Sequence, residues 1–264
     1  MTAPESRPIV VSRQHGVATI RFNRPAVLNA IDLETAREFG AAVDDVTADD
    51  GVRVIVLAGA GSAFIAGGDL GYFRTATDRA AAAEVLIAAM HAPLLKLTRD
   101  KRPVLASLKG AVAGGGVGVA LAADLAVAAD DVRFNLAYVA IAASPDCGST
   151  WNLVHLVGLR KAMELALLNE RVDATEALRL GLVNRVVPAA ELEAATESIA
   201  SRLAAQAPLA LARTKALLRA ACDASLPAQL DAEKAAFAAG AASADFNEAL
   251  DAFFARGKPV FTGR

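Results

Sequence analysis

The chain has only two cysteines among its 264 residues, Cys147 and Cys222, too few for a disulfide framework. Its three histidines, His15, His91 and His155, are scattered. No close Cys/His cluster has metal-ligand spacing, so no metal site is expected. Neither sign of charge is in excess: 27 Lys and Arg face 29 Asp and Glu, a formal net charge of −2, and a nucleic-acid partner is not expected. No run reaches the roughly 18 apolar residues of a membrane span. The segment Met1–Pro8 is polar and lacks the apolar core of a signal peptide. A soluble, cytoplasmic protein without membrane association is the expectation. Repeats of the solenoid type are also missing. What is plentiful is apolar residues, 55% of the chain against 21% charged, which suffices for the core of one large domain or a domain with an appendage.

The most informative stretch is Lys109–Val127, KGAVAGGGVGVALAADLAV. An apolar segment of strand character, Pro103–Leu108, precedes it, and the apolar, helix-permissive Val117–Ala123 follows the three glycines. Strand, glycine turn and helix let a ligand approach the backbone, because glycine has no Cβ. The helix would aim its free N–H groups and positive dipole end there, a place to hold negative charge. Two familiar motifs are missing. Counting from Gly114, the last position of G-x-G-x-x-G is Val119, and the Gly-Lys-Ser/Thr of a phosphate loop is absent. The plainer reading, a tight turn that only packs helix on strand, stays open at this point.

Along the chain, Pro8–Gln14 and Val17–Phe22 read as a hairpin about His15-Gly16. Asp32 is an N-cap for a helix to about Thr47, and Val52–Ala58 is a strand buried on both faces. A second glycine-rich loop, Gly59–Leu70, follows that strand, then a helix over roughly Asp78–Arg99. Two strand-like pieces flank Asp130-Asp131, and Asn135–Ser149 is irregular. Helices are expected at Leu159–Leu168 and Ala174–Leu180, and a last strand ends at Pro188. From Ala189 to Arg256 the pattern is almost all helical, punctuated by Pro208 and Pro227. The alternation argues for parallel strands with helical crossovers, an α/β fold. Residues 1–188 form the expected core and 189–264 an appended helical region. Two glycine loops at one sheet edge would bring two backbone N–H groups to face one atom, the geometry of an oxyanion hole.

Ala63-Phe-Ile-Ala-Gly-Gly-Asp-Leu70 together with Gly110-Ala-Val-Ala-Gly-Gly-Gly116 resembles the two signature loops of the enoyl-CoA hydratase/isomerase (crotonase) superfamily. Asn23-Arg-Pro25, Leu28-Asn-Ala30, Gly181–Pro188, Pro208–Lys215 and Ala252–Pro259 fall in the same family order, so the similarity spans most of the chain. The resemblance implies a crotonase-like ββα superhelix with a C-terminal helical trimerisation region, assembled as a homotrimer or a hexamer. The ligand it implies is an acyl-CoA, with coenzyme A entering as part of the substrate and no separate cofactor. It assigns the N–H groups of Gly68 and Gly115 to the thioester oxygen. Substrate contacts fall on Ala66, Gly67, Asp69 and Leu70 of the first loop and Gly114 of the second. Asp69 reads more readily as a residue that hydrogen-bonds the loop backbone. Lys258 matches a position that reaches a neighbouring subunit's CoA phosphate, or it is an ordinary solvated lysine.

The departures from the family pattern carry as much information. Hydratases of the family use two glutamates, and aligned through the glycines these fall at Gly118 and Tyr138. Neither suits proton transfer at neutral pH, since an ordinary tyrosine titrates near pH ~10. Ser144-Pro-Asp-Cys-Gly-Ser-Thr-Trp151 instead resembles the loop of the family's isomerases that work with one carboxylate, which falls at Asp146. One base suffices for a 1,3 proton shift. Asp146 also reads as a cap of the following helix. His91, Gly115, Tyr138 and Asp146 further match the register of the 4-chlorobenzoyl-CoA dehalogenase branch, although that branch has tryptophan where Tyr138 stands. His91 and Tyr138 are therefore candidates for the acyl pocket, and Cys147 reads as packing. The expected function is an enoyl-CoA isomerase with Asp146 as its acid–base. The alternatives are an acyl-CoA hydrolase or dehalogenase using Asp146, with or without His91, and a non-catalytic acyl-CoA binder.

Overall fold

The computed structural model describes residues 7–264. The reading of Met1–Pro8 therefore falls mostly outside the described residues. Strands β1 (Ile9–Gln14) and β2 (Val17–Phe22) form the expected hairpin, with Ile9 opposite Phe22 and Gln14 opposite Val17. Helix α1 (Leu33–Ala48) starts at Asp32, whose carboxylate accepts the Thr35 N–H at 2.8 Å and satisfies one of the free donors of the first turn. Its inward face, Ala36, Phe39, Val43 and Val46, recurs at the spacing of one helix side.

Strand β3 (Val54–Gly59) is buried on both faces. Alternation sends Ile55 and Leu57 into the main core, while Val54 and Val56 enter a second core on the opposite face. Burying each such side chain contributes roughly 1.5–3 kcal/mol before conformational entropy is set against it. The strand begins two residues later than the pattern suggests, because Val52 N–H is bonded to Asp49 O in the preceding turn.

Helices α2 (Leu70–Thr75) and α3 (Arg79–Arg99) lead to β4 (Val104–Leu108), β5 (Ala111–Ala113) and α4 (Gly115–Ala122). By length and composition α3 is apolar enough to cross a membrane, which the count of uninterrupted apolar residues had not suggested. Here it packs along α1 and buries Leu86, Met90, Leu94 and Leu97. Next come β6 (Leu125–Ala129), β7 (Arg133–Asn135), α5 (Ser149–Leu167), β8 (Val172–Asp173), α6 (Ala174–Arg179) and β9 (Arg185–Val187). The main sheet has the order β1-β2-β3-β4-β6-β9 and is parallel from β2 onward. A second sheet, β5-β7-β8, departs from the all-parallel expectation, since β7 and β8 are antiparallel.

Helix α5 begins ten residues before the expected Leu159. Gly148, in the left-handed region at φ +70°, turns the chain into the helix, and Gly158 at φ +75° kinks it where the expected helix starts. Helices α7 (Leu192–Ala204), α8 (Pro208–Ala220), α9 (Leu226–Ala241) and α10 (Ala244–Phe254) complete the chain, with Pro208 and Pro227 in first turns, where a missing N–H costs nothing. The expected division at 188/189 falls before α7, yet Leu192, Ala200 and Ala204 of α7 belong to the second core against the sheet.

Candidate active site

The first glycine loop leaves β3 and is held from below by Asn29. This buried side chain donates to the carbonyl oxygens of Ala63 and Phe64 at 2.9 and 3.0 Å. The guanidinium of Arg24 bridges Asp32 and Asp69 at 3.0 and 3.1 Å. Asp69 in turn accepts the Gly71 N–H at 2.9 Å and caps α2, the backbone contact expected of it. The second loop lies against the first: Ile65 N–H donates to Ala111 O, and Ala113 N–H donates to Ile65 O. A Cβ on Gly116 would stand 2.3 Å from Ile65 O, so no other residue lets the two loops approach this closely.

Two amides are left free at this junction. The Gly67 carbonyl accepts the Ile31 N–H at 2.8 Å, and in a trans peptide the Gly68 N–H must point the opposite way. Gly115 is the first residue of α4, where N–H groups have no acceptor within the helix. Neither N–H has a protein acceptor among the described residues. Gly67 and Gly114 are in contact, a Cβ on Gly114 falling 3.3 Å from Gly67 Cα. Two free donors and a helix N-terminus thus gather where the sequence placed the oxyanion hole.

Asp146 is the carboxylate beside them. A Cβ on Gly115 would be 3.4 Å from Asp146 Oδ1 and 4.0 Å from the Tyr138 hydroxyl. Tyr138 donates to Asp146 Oδ1 at 2.5 Å. Burial, and secondarily the Asp146 charge, push the phenol well above its ordinary range, so it stays protonated as a donor. The carboxylate of Asp146 does not cap α5; its backbone carbonyl does, accepting the Ser149 N–H and hydroxyl at 3.0 and 2.7 Å. Burial also raises the Cys147 thiol, which leaves it protonated and suited to packing rather than attack. The Cys147 N–H donates to His91 Nε2 at 3.1 Å.

Gly118 explains itself from this side. A Cβ there would fall 2.5 Å from both Cys147 Cβ and Cys147 O, so the turn carrying Asp146 fills the space a side chain would need. The structure thus brings together Gly67, Gly68, Gly114, Gly115, Tyr138, Asp146 and, through Cys147, His91. Ala66 is half-buried within the first loop and Leu70 is exposed at the start of α2. Lys258 lies on the exposed tail after α10, and no contact within the subunit ties it to Gly115 or Asp146.

Sequence reasoning missed the basic rim nearby. A cavity of about 830 Å³ between α3 and α8 reaches Cys147 and Gly148 and carries Lys101, Lys215 and Arg219. Lys215 and Arg219 both pair with Asp124, at 2.8 and 2.6 Å, and burial lowers the Lys215 ammonium. Lys215 stood within a family-like segment, but nothing in the pattern paired it with the distant Asp124.

The family profile described as enoyl-CoA hydratase/isomerase matches residues 12–264. The chain belongs to the enoyl-CoA hydratase/isomerase family. Among relatives of this crotonase family, a Rhodobacter capsulatus protein named "Probable enoyl-CoA hydratase" is 38% identical over 253 residues, covering 94% of this chain and 95% of its own. The 1,2-epoxyphenylacetyl-CoA isomerase of Escherichia coli is 33% identical over 253 residues, covering 95% and 97%. The solved structure of an enoyl-CoA hydratase from Bacillus anthracis superposes with a TM-score of 0.93 at 28% identity, covering 97% of this chain and 100% of that one. The crotonase fold and a role in acyl-CoA processing follow from membership. Relatives with hydratase and isomerase names both align over nearly the full length, so overall similarity does not choose between the two reactions.

Proposed function

We propose that this crotonase-family enzyme is an enoyl-CoA isomerase that shifts a double bond with Asp146 as its only acid–base. The observation that carries this reading is the filled space at Gly118. The first hydratase glutamate has neither a side chain there nor room for one, and the second position holds a neutral phenol turned to Asp146. The free oxygen of Asp146 takes the C2 proton of a 3-enoyl-CoA, and the C2–H electron pair moves into the thioester to give a dienolate. Gly68 and Gly115 N–H groups hold the enolate oxygen, and losing one such donor costs about 3 kcal/mol of barrier. Asp146 then returns the proton at C4, leaving the double bond between C2 and C3. The shift is redox-neutral, and coenzyme A enters as part of the substrate.

A second reading, acyl-CoA hydrolysis or dehalogenation with Asp146 as nucleophile and His91 as base, is favoured by both side chains converging on one turn. Against it, His91 Nε2 is already occupied by the Cys147 N–H. Assay of purified protein with trans-3-hexenoyl-CoA, following conjugated 2-enoyl-CoA, tests the proposal. Asp146→Asn should lower turnover by about 10²–10⁴-fold while CoA-ester binding persists. Binding without conjugation in the unsubstituted protein would contradict it and turn attention to hydrolysis or to a binder. We further propose assembly as a homotrimer or hexamer, supported by exposed apolar side chains on α5 and α8–α10.

A further inference from the structure

His91 has no part in that proton shift, yet it touches the turn that carries Asp146. The contact fixes its protonation state. A backbone N–H can only donate, so Nε2, which receives the Cys147 N–H, must be the bare nitrogen of a neutral ring protonated on Nδ1. The peptide between Asp146 and Cys147 is then held at both ends, its C=O by Ser149 and its N–H by His91. A peptide unit is planar, so fixing both ends sets the direction in which Asp146 leaves the backbone. The turn needs such support. Cys147 sits at φ +52°, in the left-handed region that a residue with a side chain adopts at a cost. Tyr138 holds the same aspartate at its carboxylate.

We propose that His91 is a positioning residue that locks the Asp146–Cys147 peptide by accepting its N–H, and that the active enzyme requires His91 neutral. Protonation would set a second donor against the Cys147 N–H and release the turn. The ionisable groups sharing the cavity with His91 are Arg99, Asp100 and Lys101 from the end of α3, Lys215 and Arg219 from α8, and Cys147, with Asp146 adjacent in the turn. The inference rests on Asp146 being the acid–base, and its test separates the two claims.

Three forms, unsubstituted, His91→Gln and His91→Leu, are compared for kcat and KM with 3-enoyl-CoA. The ring nitrogens of His91 are assigned by ¹⁵N NMR in the free protein. Glutamine offers an acceptor oxygen in place of Nε2 and leucine offers none. His91→Leu should lose about tenfold in kcat with KM little changed, the size expected for one hydrogen bond. His91→Gln should keep kcat within about threefold, because its amide oxygen can accept the same N–H. NMR should show Nε2 unprotonated at neutral pH. A leucine variant with normal kcat, a glutamine variant as damaged as the leucine one, or a proton on Nε2 would overturn the proposal. The NMR result stands even if 3-enoyl-CoA is not the substrate.

Discussion

At the scale of single residues, the pair that matters is Tyr138 and Asp146. A protonated phenol gives Asp146 one fixed oxygen and leaves the other free to move a proton. Tyr138→Phe removes the donor and should lower kcat about tenfold, measured with the same 3-enoyl-CoA assay. The pH dependence of stability has a definite sign. Folding raises the Tyr138 pKa above its ordinary value near 10. Its contribution is therefore complete below about pH 10 and declines as pH rises further, where the unfolded chain sheds the proton first. Urea unfolding at about pH 8 and about pH 10.5 should show the advantage of the unsubstituted protein over Tyr138→Phe shrinking at the higher pH; a growing advantage would contradict the assignment. Gly68, Gly115 and Asp146 were singled out through the resemblance of their loops to those of the family, and the structure brings the three loops together. The Tyr138–Asp146 and His91–Cys147 contacts were not legible in the sequence. They depend on side-chain directions across an irregular segment with φ-positive residues at Ala137, Ala142 and Cys147, and no periodicity reports those.

At the scale of elements, α4 and the Asp146 turn are built around each other. All eight residues of α4 are buried, and its fourth, Gly118, has no side chain. Gly118→Ala would push a methyl group against Cys147. It should cost about 1–3 kcal/mol of stability, read by urea unfolding, and also lower turnover by displacing Asp146. Stability and turnover both unchanged would mean that the turn yields easily and that position 118 has room for a side chain. The helix itself was legible as an apolar run after glycines. The start of α5 was hidden, because Ser144–Thr150 contains the proline, aspartate and glycine of an ordinary loop. Only the left-handed Gly148 shows where the helix begins.

For the whole molecule, parallel strands with helical crossovers, the glycine loops and the C-terminal helices were legible in the sequence, whereas the strand order and the small second sheet were not. Its strands are only two or three residues long, too short to carry an alternation. Helix α10 and the tail present Phe253, Phe254 and Val260 at 75%, 80% and 73% exposure, more apolar surface than a lone subunit has reason to show. Replacing both phenylalanines by aspartate should turn a trimer into monomers by light scattering, since each buried Phe contributes roughly 1.5–3 kcal/mol. A monomeric unsubstituted protein would contradict the proposed assembly. The claim at the centre is that one carboxylate moves a double bond and adds no water. Incubating the protein separately with a 2-enoyl-CoA and a 3-enoyl-CoA, and weighing the products by mass spectrometry, tests it most directly. The same mixture of the two isomers, with unchanged mass, should form from either side. A product heavier by one water would contradict it.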